Sequence, residues 1–570
     1  MFHSKLKNTA MKNKIIMIAA LVAAFSLTGC DDFLTQTNNT SPNQETFFDS
    51  DEALAAATSP LYNYVWWQFN EKFYYGMGDG RANNITAPWS SYIYPYTNLT
   101  ETALSEGLGD AWGALYSVVA QSNNTINNIR DYSTSAVTEN AKNAAIAEAR
   151  FMRGTAYWYI GSLWGKAIIY ERTSDLVNNS VVPPHRLTDV MEFAIRDLEF
   201  AAKYLPETVS DKGRVTKYSA FGMLSRIYLS MAGLTEEGVY NGQNIATNPN
   251  RGYRNTYYLD LAKKAALKVI NESSYKLMDE YSDLFTYENN NCQEDLFQLQ
   301  WLTGSTDAIG WGANQPMQAF FGWSTMVADG TNWGGATYAS WDLVRSYDKA
   351  DRIRRHATIA TYGELYPELY KKGGGYTYGV TETGDQYKTR CCIKKYVIGT
   401  IDDNGVSYKQ SSGLNTHMLR VAEVYLNLAE AILGNSASTA DATALTYFNK
   451  VRQRAGMSVK DAITYADLKY ERRIELAMEG QYWYDLVRRS YYQQQEVVNY
   501  LNSQERNATY KWDETQDCQY VKVKDVAGVA IAEVKHLTLP VADADRSKNS
   551  YLAGDPVSYT FTEDKVTDLY

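Results

Sequence analysis

The sequence predicts a mainly α-helical protein in which antiparallel, tetratricopeptide-like helix pairs form a scaffold, broken by a large loop-rich insertion and containing little β structure. Three observations predict it. Apolar residues recur at helical spacing in one segment after another, and several of these end at Gly or Pro. Between Cys292 and Gln410 the periodicity gives way to Gly, Trp, Thr and Asn, and so long a loop-dominated stretch in a compact protein is uncommon and usually functional. Apolar residues make up 45% of the 570, enough for a core that serves more than one lobe.

At the N-terminus, Lys12 and Lys14 precede an apolar run from Ile15 to Leu27, which leads into Gly29 and Cys30. A basic start, a short apolar stretch and a small-residue exit mark residues 1–29 as a secretory signal, shorter than the roughly 20 residues a spanning helix needs. The Leu27-Thr28-Gly29-Cys30 ending resembles the bacterial lipoprotein box, which implies that Cys30 is acylated and becomes the first mature residue. Residues 30–48 are rich in Thr, Asn and Gln and read as a flexible, lipid-anchored tether.

The folded part divides into an N-terminal helical region, 49–290, and a C-terminal region, 291–570, that carries the insertion 292–410. Ser50 to Phe69 reads as a first helix, with Asp51 and Glu52 in its first turn, where the helix dipole favours them. A loop rich in Gly, Asn and aromatics runs from Tyr74 to Thr100. Trp112, Leu115, Tyr116, Val119, Asn123 and Ile126 then mark a helix, and Ala144 to Trp164 is apolar on nearly every side, as a central helix must be. Leu187 to Tyr204, Thr216 to Met231 and Tyr258 to Ile270 read as three more. No strict 34-residue repeat is present. Beyond the insertion, Val421 to Ile432 and Leu445 to Val451 carry helical stripes. Tyr465 to Arg488 reads as the last helix, and His536 to Val541 as a strand.

Several segments together resemble the SusD/RagB family. They are Cys30-Asp31-Asp32-Phe33-Leu34; Trp112 with Leu115-Tyr116; and Glu148-Ala149-Arg150-Phe151-Met152-Arg153-Gly154 with Tyr157 and Trp164-Gly165. Gly213 to Lys217, Arg420, Ala422-Glu423, Ala429-Glu430-Ala431, Glu471 to Leu476, Glu479-Gly480, Trp483 and Asp485-Leu486 continue the match in order. The resemblance implies a SusD-like fold and a surface lipoprotein facing the exterior from the outer membrane. It also implies a SusC-like TonB-dependent transporter as partner, for which the protein acts as a hinged lid. Glu148, Arg150 and Arg153 lie on an otherwise apolar helix, so they need charged partners from neighbouring helices, with Glu423, Glu430 and Arg473 the expected ones.

A neutral glycan offers a C–H ring face and a rim of hydroxyls, so its site needs flat aromatic rings flanked by amide and charged groups. The chain has 46 Tyr and 13 Trp against 17 Phe, an excess of rings with a polar handle. In the Tyr74 to Thr100 loop, Asp79, Arg81, Asn83, Asn84, Trp89, Tyr92, Tyr94 and Tyr96 interleave both kinds of group. In the insertion, Trp301, Trp311, Asn314, Trp323, Asn332, Trp333 and Tyr338 do the same. The family comparison points most directly to Trp89 and Trp333, followed by Asp79, Arg81, Trp311, Tyr92 and Asn332. Tyr92 stands where starch-binding members carry Asn, so a starch preference is not implied. General similarity leans towards a fructan or another neutral non-starch glycan. Two or three stacking rings and several hydrogen bonds, less ordering costs, give about −4 to −7 kcal/mol, a weak binder suited to capture and release.

A net charge of −10 argues against a nucleic-acid binder, which needs a basic stripe to meet phosphates. Five isolated histidines and five scattered cysteines form no metal or disulfide pattern, and no nucleophile elbow or phosphate loop occurs. No cofactor is expected; the Asn289 to Asp295 stretch has oxygen ligands for calcium but lacks EF-hand spacing. The alternatives to a glycan binder are a scaffold lipoprotein for peptide or protein cargo and a divergent surface glycosidase, whose two carboxylates need not be close in sequence.

Overall fold

A computed structural model describes residues 47–238, 245–302, 312–322, 324–327, 336–407, 411–516, 519–563 and 565–570. Cys30, the signal segment and the tether up to residue 46 lie outside these. The folded body begins earlier than position 49, because Phe48 is buried and its carbonyl accepts from Thr134 N–H.

The main helices are α1 (Asp51–Thr58), α2 (Leu108–Tyr132), α3 (Glu139–Trp164), α4 (Leu187–Tyr204), α5 (Lys217–Leu234), α6 (Thr256–Glu272), α7 (Val421–Leu433), α8 (Ala442–Arg454), α9 (Tyr465–Glu475) and α10 (Tyr482–Ser503). From α2 to α6, successive helices pack as neighbours. After the insertion, α7 packs on α6 and then α8 on α7, so the array runs through the break in sequence. Thr138 caps the start of α3 through its side chain, Gly165 ends it with φ +70°, and from Ala145 onward every residue of α3 is buried.

Three departures from the sequence reading have local causes. The first helix is short: after Thr58, Pro60 and Asn63 convert the chain into tight 3-10 turns. The expected single helix over Tyr465 to Arg488 is two, because the 476–481 turn places Met478 and Gly480 at φ +67° and +66°. His536 to Val541 is no strand, since Val534–Leu537 is a 3-10 turn. The strands not foreseen are short pairs: β1 (Ile85–Thr86) with β3 (Tyr338–Ala339), β2 (Asp295–Leu299) with β4 (Thr416–Arg420), and the hairpin β5 (Thr509–Asp513) with β6 (Gln519–Lys524).

Ion pairs inside the helical body are the fold's other organising device. Arg420, on β4, is fully buried and reaches Glu294 at 2.5 Å, Glu475 at 3.1 Å and Glu479 at 2.7 Å. Arg454 and Lys395 close the same cluster from α8 and the insertion. The motif charges of α3 are paired, but not with the partners expected from sequence: Arg150 and Arg153 share Asp197 of α4, and Glu148 binds Arg214 and the Tyr62 hydroxyl. Glu423 instead pairs with Arg226, Glu430 with Arg254 and Arg488, and Arg473 with Asp342. Helical spacing reveals which face is charged but not which helix comes to meet it.

The C-terminal segment returns to the N-terminal helices. Val557 donates its N–H to the Pro184 carbonyl and accepts from Arg186 N–H, Tyr559 donates to Glu171 and its amide to Asp189, and Glu563 meets Arg130 and Arg150.

These buried carboxyls set a pH dependence. Burial alone would raise Glu479, but Arg420 and Lys395 hold it at about 2 against an ordinary 4.5, and Arg488 and Arg254 do the same for Glu430. Such depressed groups stabilise the fold fully above about pH 4.5 and lose that contribution as the pH falls towards about 2. Asp79 and Glu199 have the opposite sign: burial pushes them up to about 6 and about 7. Their contribution therefore declines as the pH rises through that range. Thermal unfolding across a pH series is expected to show greatest stability near about pH 5, falling on both sides. A melting temperature that climbs steadily from pH 5 to 8 would contradict this balance.

Candidate functional site

The β1–β3 ladder joins the two stretches the sequence singled out. Ile85 pairs with Ala339 and Thr86 with Tyr338, which carries the Trp89 loop against the end of the insertion's Trp-rich part. Trp89 is 60% exposed, an unusual state for an indole in a chain that buries most of its rings. Its ring lies 6.3 Å from that of Tyr338, tilted by 47°. The Arg390 guanidinium lies 4.1 Å from the Trp89 ring centre and 5.3 Å from that of Tyr338.

Arg390 therefore backs the indole by a cation–π contact and fixes its plane, leaving the rest of the ring to solvent. Burial pushes the Tyr338 phenol upward, opposed by Arg390, so it remains a neutral hydrogen-bonding group at physiological pH. The result is a flat, exposed apolar face beside fixed N–H and O–H donors. It can stack on a polar, ring-shaped ligand and bond its rim.

Tyr92 is half-buried on the same loop, with the Lys72 ammonium 4.4 Å above its ring. A hydrogen bond to Glu106 raises its phenol above the ordinary value.

Asp79 and Arg81 are corrections to the sequence reading: both are fully buried and cannot reach a ligand on this surface. Asp79 accepts from the backbone N–H of Met478 at 3.0 Å and of Gly480 at 2.7 Å, and from the Asn84 amide at 2.8 Å. It holds the turn between α9 and α10. Arg81 pairs with Glu101, donates to the His536 carbonyl and lies 4.4 Å over the Trp483 ring. Both residues anchor the loop that presents Trp89 instead of touching what it binds.

Asn83, Asn84, Tyr96, Trp301 and Asn314 are likewise buried; the Trp301 indole donates to Thr416 at 2.9 Å and the Asn314 amide to the Leu302 carbonyl at 3.1 Å. Trp311, Trp323, Asn332 and Trp333 lie outside the described residues. The side chains of the calcium candidate stretch are engaged within the protein. Asn290 bonds the Gly413 carbonyl, Asn291 bonds Gln300, and Asp295 bonds His417 at 2.7 Å. No cluster of His, Cys, Asp or Glu suited to a metal occurs among the described residues. Cys391 and Cys392 are buried free thiols, and no helix among the described residues is long and apolar enough to cross a membrane. Arg390 is the site residue that sequence reasoning missed, since an isolated Arg beside two cysteines carries no spacing signal.

Comparison with known proteins gives concordant matches. The SusD family profile matches residues 266–556, and a profile described as "Starch-binding associating with outer membrane" matches residues 32–229. A SusD-like protein of Bacteroides ovatus is 37% identical, covering 97% of this chain and 99% of its own. The starch-binding protein SusD of Bacteroides thetaiotaomicron is 27% identical over 60% of this chain and 63% of its own. Among solved structures, a complex with xylogluco-oligosaccharide is 37% identical with a TM-score of 0.79, covering 90% of this chain and 100% of that one. A laminarin-binding SusD-like protein, 19% identical with a TM-score of 0.63 over 88% and 98% of the two chains, shares the fold.

Proposed function

Because the chain belongs to the SusD family, we propose that it binds a polysaccharide or oligosaccharide at the outer cell surface without cleaving it and passes it to a SusC-like TonB-dependent transporter. It does so as a hinged lid tethered to the outer membrane through acylated Cys30. The exposed Trp89 ring, backed by Arg390 and flanked by Tyr338, is the observation that carries this reading. A sugar stacked there and gripped by both lid and barrel favours closure, because the closed state adds contacts to a shared ligand.

The preferred glycan is a neutral, non-starch one. The lean towards fructan has no residue behind it, whereas the 37%-identical relative solved with xylogluco-oligosaccharide makes that ligand the first to try. Calorimetry with xylogluco-oligosaccharide, laminarin, levan, inulin and starch, on the soluble chain lacking residues 1–30, tests the reading. One neutral glycan is expected to bind weakly, with no reducing sugar released, and Trp89→Ala should weaken it about tenfold. Silence across the whole panel, or full binding by Trp89→Ala, would sink it.

A further inference from the structure

Trp341 and Cys391, close in sequence to Tyr338 and Arg390, line a cleft to which Trp89, Tyr338 and Arg390 do not contribute. It is an open cleft of about 790 Å³ between the Trp341 turn, the Tyr362 loop and the β5–β6 hairpin. Its size falls within the range of ligand-binding clefts. Its rings are only half-buried. Tyr362 and Trp512 stand 5.6 Å apart with planes 43° from parallel, and Trp341 is fixed opposite by an indole hydrogen bond to Glu505 at 2.6 Å. Tyr520 supports this wall from behind, its ring edge-on to Trp512 at 5.1 Å and its hydroxyl bonded to the Tyr362 amide.

The charge of the lining differs from that of the chain. Five basic side chains face the cleft against two acidic ones, in a protein whose net charge is −10. Most of the cations are already matched: Arg345 and Lys522 share Glu505, and Arg355 binds Glu364. Arg352 is exposed on the cleft, and no acid among the described residues pairs with it. A strongly hydrogen-bonding guanidinium lining the same cleft as Trp512 and Tyr362, the latter with the Lys388 ammonium 5.2 Å from its ring centre, suits a ligand that combines a flat apolar face with one carboxylate.

We propose that this cleft is a second carbohydrate subsite that takes a uronic-acid residue, the sugar ring lying against Trp512 and Tyr362 and its carboxylate on Arg352. The inference rests on the glycan-binding reading but uses none of the Trp89 platform. A polymer carrying both neutral and acidic sugars would be held at two places, with an effective concentration at the second site set by the chain between them.

The probe is trigalacturonate, measured by calorimetry on the same soluble chain at low and high salt, beside xylogluco-oligosaccharide. Trigalacturonate is expected to bind the wild type and Trp89→Ala alike. Trp512→Ala should weaken it about tenfold. Arg352→Gln should weaken it about fivefold and remove most of its salt dependence. Because Arg352 is exposed and unpaired, that variant keeps the fold even if the Trp512 change disturbs the hairpin. If xylogluco-oligosaccharide binds while trigalacturonate does not, or if trigalacturonate binds Arg352→Gln and Trp512→Ala as tightly as the wild type, the second subsite is overturned and the Trp89 reading stands. If trigalacturonate fails and the whole neutral panel is silent too, both fall.

Discussion

Arg420→Met is expected to lower the free energy of unfolding by about 3–5 kcal/mol, a large share of the roughly 5–15 kcal/mol that holds a typical protein folded. The guanidinium has no solvent exposure and is the common partner of Glu294, Glu475 and Glu479, which are themselves buried. Methionine matches the volume of the aliphatic stem but leaves three carboxylates crowded around too little positive charge. Arg454 keeps Glu294 and Glu475, and Lys395 keeps Glu479, so within the cluster these two cations are left to balance the three carboxylates. Protonating one Glu would relieve the repulsion, so the variant should lose less at pH 4 than at pH 7, the reverse of its parent below pH 4.5. Urea denaturation at the two pH values gives the answer. A loss below about 1 kcal/mol at pH 7 would mean that water screens the cluster.

Gly78→Ala should have a comparable effect for a different reason. A Cβ at position 78 would lie 2.3–2.4 Å from the backbone of Gly480, which is fixed at φ +66° and bonded through its N–H to Asp79. Neither partner is a flexible side-chain tip, so the two backbones must separate and the Asp79 bonds to the 478–480 turn must stretch. The expected loss is about 3 kcal/mol, the upper end of the usual range for overpacking. The loop carrying Trp89 is held by the same contact, so glycan affinity measured on the surviving folded fraction should also fall. Gly113→Ala, inside α2 where a Cβ meets nothing within 4 Å, is the control: it should raise stability by about 0.5–1 kcal/mol through helix propensity and leave glycan affinity unchanged. Normal stability in Gly78→Ala would show that the two backbones can part freely.

The helical body was legible because its signal is local. Leu187–Tyr204 matches the sequence reading residue for residue, and α5 and α6 extend it by only a few positions. The break between α9 and α10 was not legible, since its cause lies some four hundred residues away in Asp79. Asp79 and Arg81 illustrate the same limit from the other direction. A carboxylate and a guanidinium among exposed-looking rings read equally well as ligand contacts or as anchors, and only burial separates the two. Trp89 is exposed, but its backing by Arg390 depends on a fold-over from the far side of the insertion. Composition identifies the kind of surface the protein offers. Which residues form it is decided by long-range pairings such as Thr86 with Tyr338.

The 557–563 segment fastens helices made far earlier in synthesis. Glu563 follows Arg150 by 413 residues, and the Glu563 carbonyl also receives Arg196. The growing chain thus completes its first helical pairs while three of their arginines, Arg130, Arg150 and Arg196, still lack this partner, and those helices wait for it to emerge. The molecule closes like a clasp, with a late-made strap fastening helices made long before it. A fusion that holds this strap away would yield a body with every helix in place and its seam undone.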